Sequence, residues 1–285
     1  MATKNFIPTI WSENLYHELD KHYIAVKHCN REYEGDIKNC GDSVKICGVG
    51  GISVFDYHRN TDLSEPEEIS ETERTLYINK ARCFNFQIDD IDRAQNVPGI
   101  MNAAMKMAAS ALSNDADYYV YSHFAEAGHT VYNNAPTADN IIDTLLEARK
   151  ILYQNNATDP DEVVFEVTPD VAQLIIKAKI NLATDNTAVL ENGCIGSIAG
   201  SKIYVSNNVV RTDDDGVMKH MCLARTKRAI AFAEQLSEIN AYRPEKRFAD
   251  AVKGLHLYGV KVVYPNEMVN LNITINESNY GGEEE

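Results

Sequence analysis

The stretch that most constrains this chain begins after Pro98-Gly99. Ile100, Ala104, Met107, Ala108 and Ala111 recur at helical spacing, and alanine has the best intrinsic helix propensity. The pattern runs on through Tyr118, Tyr121 and Phe124 to Glu126, with Asn114 and Asp115 as points where it can bend. A helix of about 28 residues is about 42 Å long. A compact ball of 285 residues is only about 48 Å across. One helix therefore crosses nearly the whole body, which suits a flat or elongated subunit better than a ball.

The segments before this helix bury little of themselves. An extended Phe6-Ile7-Pro8-Thr9-Ile10-Trp11 leads to Ser12, an N-cap type, and a short amphipathic helix carrying Leu15, Leu19 and Ile24. Residues 30–42 are polar, contain Gly35 and Gly41, and read as an arm that frays unless another subunit holds it. Two strand-like runs follow. The first is Ile52 to Tyr57. The second, Thr75 to Ile88, alternates with Leu76, Ile78, Phe84, Phe86 and Ile88 on one face. Between them Asp62, Glu65, Glu67, Glu68, Glu71 and Glu73 crowd a loop with Pro66. A hairpin tip of about 17 residues far exceeds the usual two to five. In an isolated chain it is a solvated loop, repelled by its own acidic body.

From residue 137 the pattern is mixed α and β. Thr137 is an N-cap type ahead of a stripe of Ile141, Ile142, Leu145, Ala148 and Leu152. A strand is expected at Val163–Val167. Thr168-Pro169-Asp170 then combines a cap, a proline at the first helical position and an acid at the positive helix end, and the buried face of that helix is Val171, Leu174, Ile175 and Ala178. Short strands are expected at Lys202–Ser206 and Val217–Leu223, with turn chemistry in Asp213-Asp214-Asp215-Gly216 between them. Leu255–Tyr264 is apolar on both faces and reads as a long buried strand. The Gly281-Gly282-Glu283-Glu284-Glu285 tail has a disordered composition.

Composition narrows the function. With 42 acidic and 27 basic side chains the net charge is −15, so the chain is a poor general binder of nucleic acid, although an acidic wall can surround DNA without gripping it. No apolar run approaches the roughly 20 residues needed to cross a bilayer, and no secretory core follows the N-terminus. The six cysteines form no Cys-x-x-Cys pair and are expected to be reduced thiols in a cytoplasmic setting.

Catalytic motifs are missing. Gly48-Val49-Gly50-Gly51 precedes a strand-like run rather than a helix, the Gly193–Gly200 stretch has the wrong spacing for a dinucleotide fingerprint, and no Gly-Lys-Ser/Thr occurs. Asp213–Asp215 lacks the alternate spacing of a calcium loop. His17, His22 and His28, with Cys29, are spaced for different helix faces rather than one metal. There is no Gly-x-Ser-x-Gly elbow. No catalytic, cofactor-binding or metal residue is singled out, which favours a structural role.

The order of parts carries more than any motif. An arm, a long hairpin with a charged tip, a long alanine-rich helix and a mixed α/β region ending in a buried strand resemble the major capsid protein of tailed double-stranded DNA phages, with its α+β Hong Kong 97-like fold. The carrying strings are Asn5–Trp11, Tyr33–Lys38, Gly41–Ile46, Ala229–Gln235 and Phe248–Gly259. The last two look most like coat proteins of the scaffold-assisted branch. The resemblance implies an N-terminal arm over 1–45 and an extended loop over 46–90. It implies a peripheral domain with the spine helix over 91–134, an axial domain over 135–235, and a return to the peripheral domain with an acidic tail over 236–285.

The resemblance further implies a virion component assembled in the host cytoplasm as hexamers and pentamers of an icosahedral shell. Its partners would be a separate scaffolding protein and a portal, with room for a decoration protein, and it would enclose double-stranded DNA without reading sequence and without any cofactor or membrane. Two rivals stand beside it: an encapsulin-type cargo shell, whose N-terminus resembles a docking helix, and a soluble enzyme, which requires a small fixed oligomer and an organised pocket. On the capsid reading, the acidic tip from Asp62 to Glu73 needs a basic receptor on an adjacent subunit. The candidates are Arg243, Lys246 and Arg247, or Arg225, Lys227 and Arg228.

Overall fold

The computed structural model describes residues 15, 18–33, 43–49, 56, 59, 71–89, 100–156, 163–178, 194–214, 217–246 and 248–275. Strands β1 (Ser43–Val49) and β2 (Glu71–Tyr77) form an antiparallel pair running from Ser43 opposite Tyr77 to Val49 opposite Glu71. The expected first strand at Ile52–Tyr57 lies outside the described residues apart from Asp56, and the partner of the second run is the earlier segment instead. That second run is also two strands rather than one. β2 ends at Tyr77, Ile78 and Asn79 leave the ladder, and β3 (Lys80–Asp89) pairs elsewhere. The break falls where the chain passes over Gly259, at which a Cβ would lie 2.3 Å from the Tyr77 carbonyl oxygen. Only glycine leaves room for that approach.

Helix α1 (Ile100–Tyr121) is the expected long helix, continued by a 3₁₀ turn over Ser122–Glu126. Asn114 and Asp115 do not interrupt it. Its buried stripe, however, is not the expected one: Met105, Ala109, Leu112, Ala116 and Val120 face the core, while Met107 is 75% exposed and Ala111 faces out. The helix is apolar on two sides, so periodicity alone leaves open which side turns inward. Asp115 sets the rotation from outside the core, bonding Tyr258 on one strand and Arg82 on another, the latter at 2.8 Å.

Two further sheets flank α1. The smaller has the order β10 (Ile230–Tyr242), β11 (Ala249–Val262), β3, all antiparallel. The larger has seven strands: β4 (His129–Asn133), β12 (Met268–Ile275), β9 (Val217–Arg225), β5 (Val164–Val167), β7 (Ser201–Val205) and β6 (Cys194–Ile198) in that order, with β8 (Arg211–Asp214) also on β9. Helices α2 (Ile141–Gln154) and α3 (Pro169–Lys177) pack with this sheet. The expected cap at Thr168 is present, its hydroxyl accepting from the Val171 N–H at 3.4 Å. Thr137 instead caps a turn, and α2 starts after Asn140. Strands β4, β6, β8, β10 and β12 were not anticipated, and β11 starts six residues ahead of the expected Leu255. The segment after 235 is divided: β10 and β11 belong to the small sheet, and β12 lies inside the large one. One apolar cluster is continuous through both sheets.

The N-terminal part also differs from an arm held only by another subunit. Leu15, Leu19, Tyr23, Ala25, Val26 and Cys29 are buried in this chain's own core. Residues 18–22 are helical, Val26–His28 form a 3₁₀ turn, and Asn30 bridges to Ala231 at the edge of β10. Residues 1–14 and 34–42 of the expected arm, and the tail after 275, lie outside the described residues.

Candidate assembly surfaces

The N-terminal segment is clasped by three buried acids from three different elements. Glu166 on β5 receives two bonds from Arg225, at 2.8 and 2.9 Å, and both side chains are fully buried. Arg225 also donates to the carbonyls of Ala25 (2.9 Å) and His28 (2.6 Å). Burial alone would raise the Glu166 carboxyl, but the adjacent Arg225 charge and the His28 ring 3.3 Å away hold it below its ordinary value. Glu234 on β10 accepts from the Tyr23 hydroxyl, from Arg31 at 2.7 Å and from the His256 ring at 2.8 Å. Burial opposes its charge, and those bonds, His256 first, again leave it lowered. Asp117 on α1 accepts from the backbone N–H groups of Ile24 (2.9 Å) and Val26 (3.1 Å). With no cation bonded to it among the described residues, burial pushes its carboxyl up to about 7 despite those bonds. None of these acids stood out in the sequence. The signal available was an aspartate directly beside Ala116 in an otherwise apolar stripe.

What the described residues leave uncovered is the more telling surface. The β1–β2 pair lays Val44, Ile46, Leu76 and Ile78 on Ala231, Ala233, Leu257 and Val263, covering one end of one face of the small sheet. Farther along that face, the described residues leave part of it uncovered. There Cys83, Asn85, Asn240, Lys253 and Leu255 line a shallow depression of about 330 Å³. A second open surface is the outward stripe of α1: Ala103, Met107, Ala111, Asn114 and Tyr118 all face solvent. A third is an apolar groove of about 550 Å³ between α3 and the edge strand β6, bordered by Pro169, Ala172, Ile176 and Ile195.

The residues expected to join subunits are placed unevenly. Asp62, Glu65, Glu67 and Glu68 lie outside the described residues. Glu71 opens β2, and Glu73 is exposed and pairs with Lys45 at 2.6 Å. Arg225 is a correction: it is entirely buried and bonded to Glu166, so it faces no other chain. Its position in the last turn of the ladder, at the end of an apolar strand, is what takes it inside. Lys227 is exposed, and Arg228 bonds Glu267 at 2.9 Å with its guanidinium over the Tyr264 ring. Arg243 and Lys246 are exposed in the connection from β10 to β11, Arg243 lying 3.3 Å from Asp250; Arg247 is outside the described residues. Phe248, 85% exposed, adjoins them. Among the described residues no cluster of three or more histidine, cysteine, aspartate or glutamate side chains is arranged to hold a metal, and no helix is long and apolar enough to cross a membrane.

No family model and no curated relative matches the chain. Solved structures do. A chain of Mycobacterium phage Che8 is 30% identical, with 95% of this chain and 98% of that one covered and a TM-score of 0.67. The capsid of Ralstonia phage GP4 matches at 12% identity over 92% of each chain, with a TM-score of 0.69. The capsid of cyanophage P-SCSP1u matches at 18% identity over 86% of each, with a TM-score of 0.63. At 12% and 18% identity the likeness speaks of the fold, a mixed α+β arrangement of several sheets and few helices. At 30% identity over nearly the whole of both chains it speaks of descent, and the relatives are structural proteins rather than enzymes. The chain belongs to the phage major capsid proteins.

Proposed function

We propose that this capsid subunit closes an icosahedral head shell around packaged phage DNA, as hexamers and pentamers with the Hong Kong 97-like division into peripheral and axial parts. The shell forms in the host cytoplasm on a separate scaffolding protein, around a portal, as a procapsid that expands on maturation. One observation carries the reading: 95% of the chain matches 98% of the Che8 chain at 30% identity. The surfaces agree with it. An isolated soluble subunit has no use for an outward apolar stripe along its longest helix, whereas a subunit in a shell has neighbours to cover it. A net charge of −15 also gives DNA a wall along which it slides without sticking.

Within that shell the acidic stretch from Asp62 to Glu73, whose last members Glu71 and Glu73 lie in β2 rather than in a loop, meets Arg243, Lys246 and Arg247 of an adjacent copy. Burial removes Arg225 from the rival cluster. The test is negative-stain electron microscopy with light scattering on the protein expressed alone and with its scaffolding partner. Closed shells, or aberrant shells and tubes without scaffold, are expected; a monodisperse small oligomer under both conditions overturns the shell. Charge reversal at Glu67 and Glu68 is expected to cut assembly yield and its salt sensitivity, and unchanged values overturn the loop receptor alone.

A further inference from the structure

The turn between β10 and β11 presents a side chain that nothing in the described residues employs. Phe248, 85% exposed, is the most exposed large apolar side chain among them and belongs to neither apolar cluster. Its surroundings are basic and aromatic. Arg243 and Lys246 are exposed in the same turn, and Tyr242, at the end of β10, is 38% exposed. The Tyr242 hydroxyl donates to Asn85 at 3.1 Å, and the Lys253 ammonium lies 5.4 Å from its ring centre.

Charge alone does not explain an exposed phenylalanine there. Ion pairs between exposed side chains add little, and beyond about 8 Å physiological salt screens them. Part of the charge on both sides is also engaged within its own chain: Arg243 lies 3.3 Å from Asp250, and Glu73 pairs with Lys45 at 2.6 Å. Charges at the rim of an interface set how fast partners meet and how salt slows them, whereas a desolvated aromatic at its centre holds them together. The acidic stretch has the matching composition. Leu63, Pro66 and Ile69 stand between its carboxylates, so it offers apolar surface as well as charge.

We propose that Phe248 is the apolar anchor for this stretch on an adjacent copy: Leu63, Pro66 and Ile69 cover its ring, while Arg243 and Lys246 draw the carboxylates in. This rests on the pairing of the Asp62–Glu73 stretch with the β10–β11 turn put forward above, and it adds what keeps the two together once they have met. Steering by charge weakens as salt rises; the anchor does not.

The experiment is assembly of the full-length protein with photoreactive benzoylphenylalanine in place of Phe248, from equal parts of isotopically heavy and light copies. Mass spectrometry is expected to find heavy–light cross-links from position 248 to residues 62–73. Cross-links to another segment, to nucleic acid, or only within one copy overturn the anchor. Phe248→Ala is expected to melt like the unmodified subunit, because the ring lies outside its own chain's core. Its shell yield is expected to fall about tenfold or more at every salt concentration, with the salt dependence kept. Unchanged yield in Phe248→Ala overturns the anchor, and charge reversal at Glu67 and Glu68 still decides the pairing of the stretch with the turn. Failure of every form of the protein to assemble overturns the shell reading, and the anchor with it.

Discussion

Arg225 and Glu166 face each other across neighbouring strands with two bonds of 2.8 and 2.9 Å, and neither exposes any side chain to water. The pair is where the large sheet, through β5 and β9, takes hold of the N-terminal segment, since the same guanidinium serves the carbonyls of Ala25 and His28. Removing one member strands a buried charge. Arg225→Ala is expected to cost about 3–5 kcal/mol of unfolding free energy. The double change Arg225→Met with Glu166→Leu leaves no charge behind and is expected to cost less than the single one. Denaturant unfolding of the unassembled subunit checks the order of the two.

Acid weakens this clasp through Glu234. Glu234 is held below its ordinary 4.5, so the stability it contributes is fully present above about pH 4.5 and is lost as pH falls through its lowered value. Glu234→Gln is expected to lower stability at pH 7 by about 1–3 kcal/mol and to flatten the acid limb below pH 4.5. Thermal melts of both proteins between pH 3 and 7 provide the comparison.

Gly259 and Gly254 both sit on β11 under crowding, but against different neighbours. A Cβ at 259 meets the Tyr77 carbonyl oxygen at 2.3 Å, and one at 254 meets the Phe84 ring at 2.4 Å. A ring that is only partly buried can turn aside; a backbone cannot without shifting the β2–β3 junction. Gly259→Ala is expected to cost about 3 kcal/mol and Gly254→Ala about 1 kcal/mol. Equal costs would show that the junction itself yields.

Met107 separates folding from assembly. Being 75% exposed, its replacement by glutamate is expected to change subunit stability by less than about 0.5 kcal/mol. If neighbours cover the α1 stripe, the same change places a charge in an apolar contact and shell yield falls severalfold. Sedimentation of assembly products, with melting of the unassembled subunit as control, measures both.

Local chemistry was readable in the sequence where it was self-contained. The Thr168-Pro169-Asp170 start of α3 depends on residues within one turn, and it is present as expected. The existence of α1 was equally plain, but its rotation was not. Two apolar stripes share the helix, and the choice between them rests on Asp115 reaching Tyr258 and Arg82, far away in sequence. The N-terminal segment was legible only in part, for the same reason. The amphipathic stretch of Leu15 and Leu19 is buried as its pattern suggested, but nothing local showed that the backbone at Ile24 ends on Asp117 or that Arg31, at the start of the polar stretch, ends on Glu234. A carboxylate that accepts backbone N–H groups leaves no pattern in the residues it holds. Arg225 resembled its basic neighbours Lys227 and Arg228, and only the ladder position of β9 separates it from them.

The placement of β12 has a consequence for biosynthesis. This strand lies between β4, to which it is parallel, and β9, to which it is antiparallel, and β4 has no other strand partner in the described sheet. As the chain leaves the ribosome, β4 and one edge of β9 therefore wait, unsatisfied, until residue 275 has been made. Non-local pairing of this kind is slow, and exposed strand edges attract other chains while they wait. The large sheet is completed only when β12 arrives, so an interrupted chain carries a ready template for aggregation rather than a smaller working subunit.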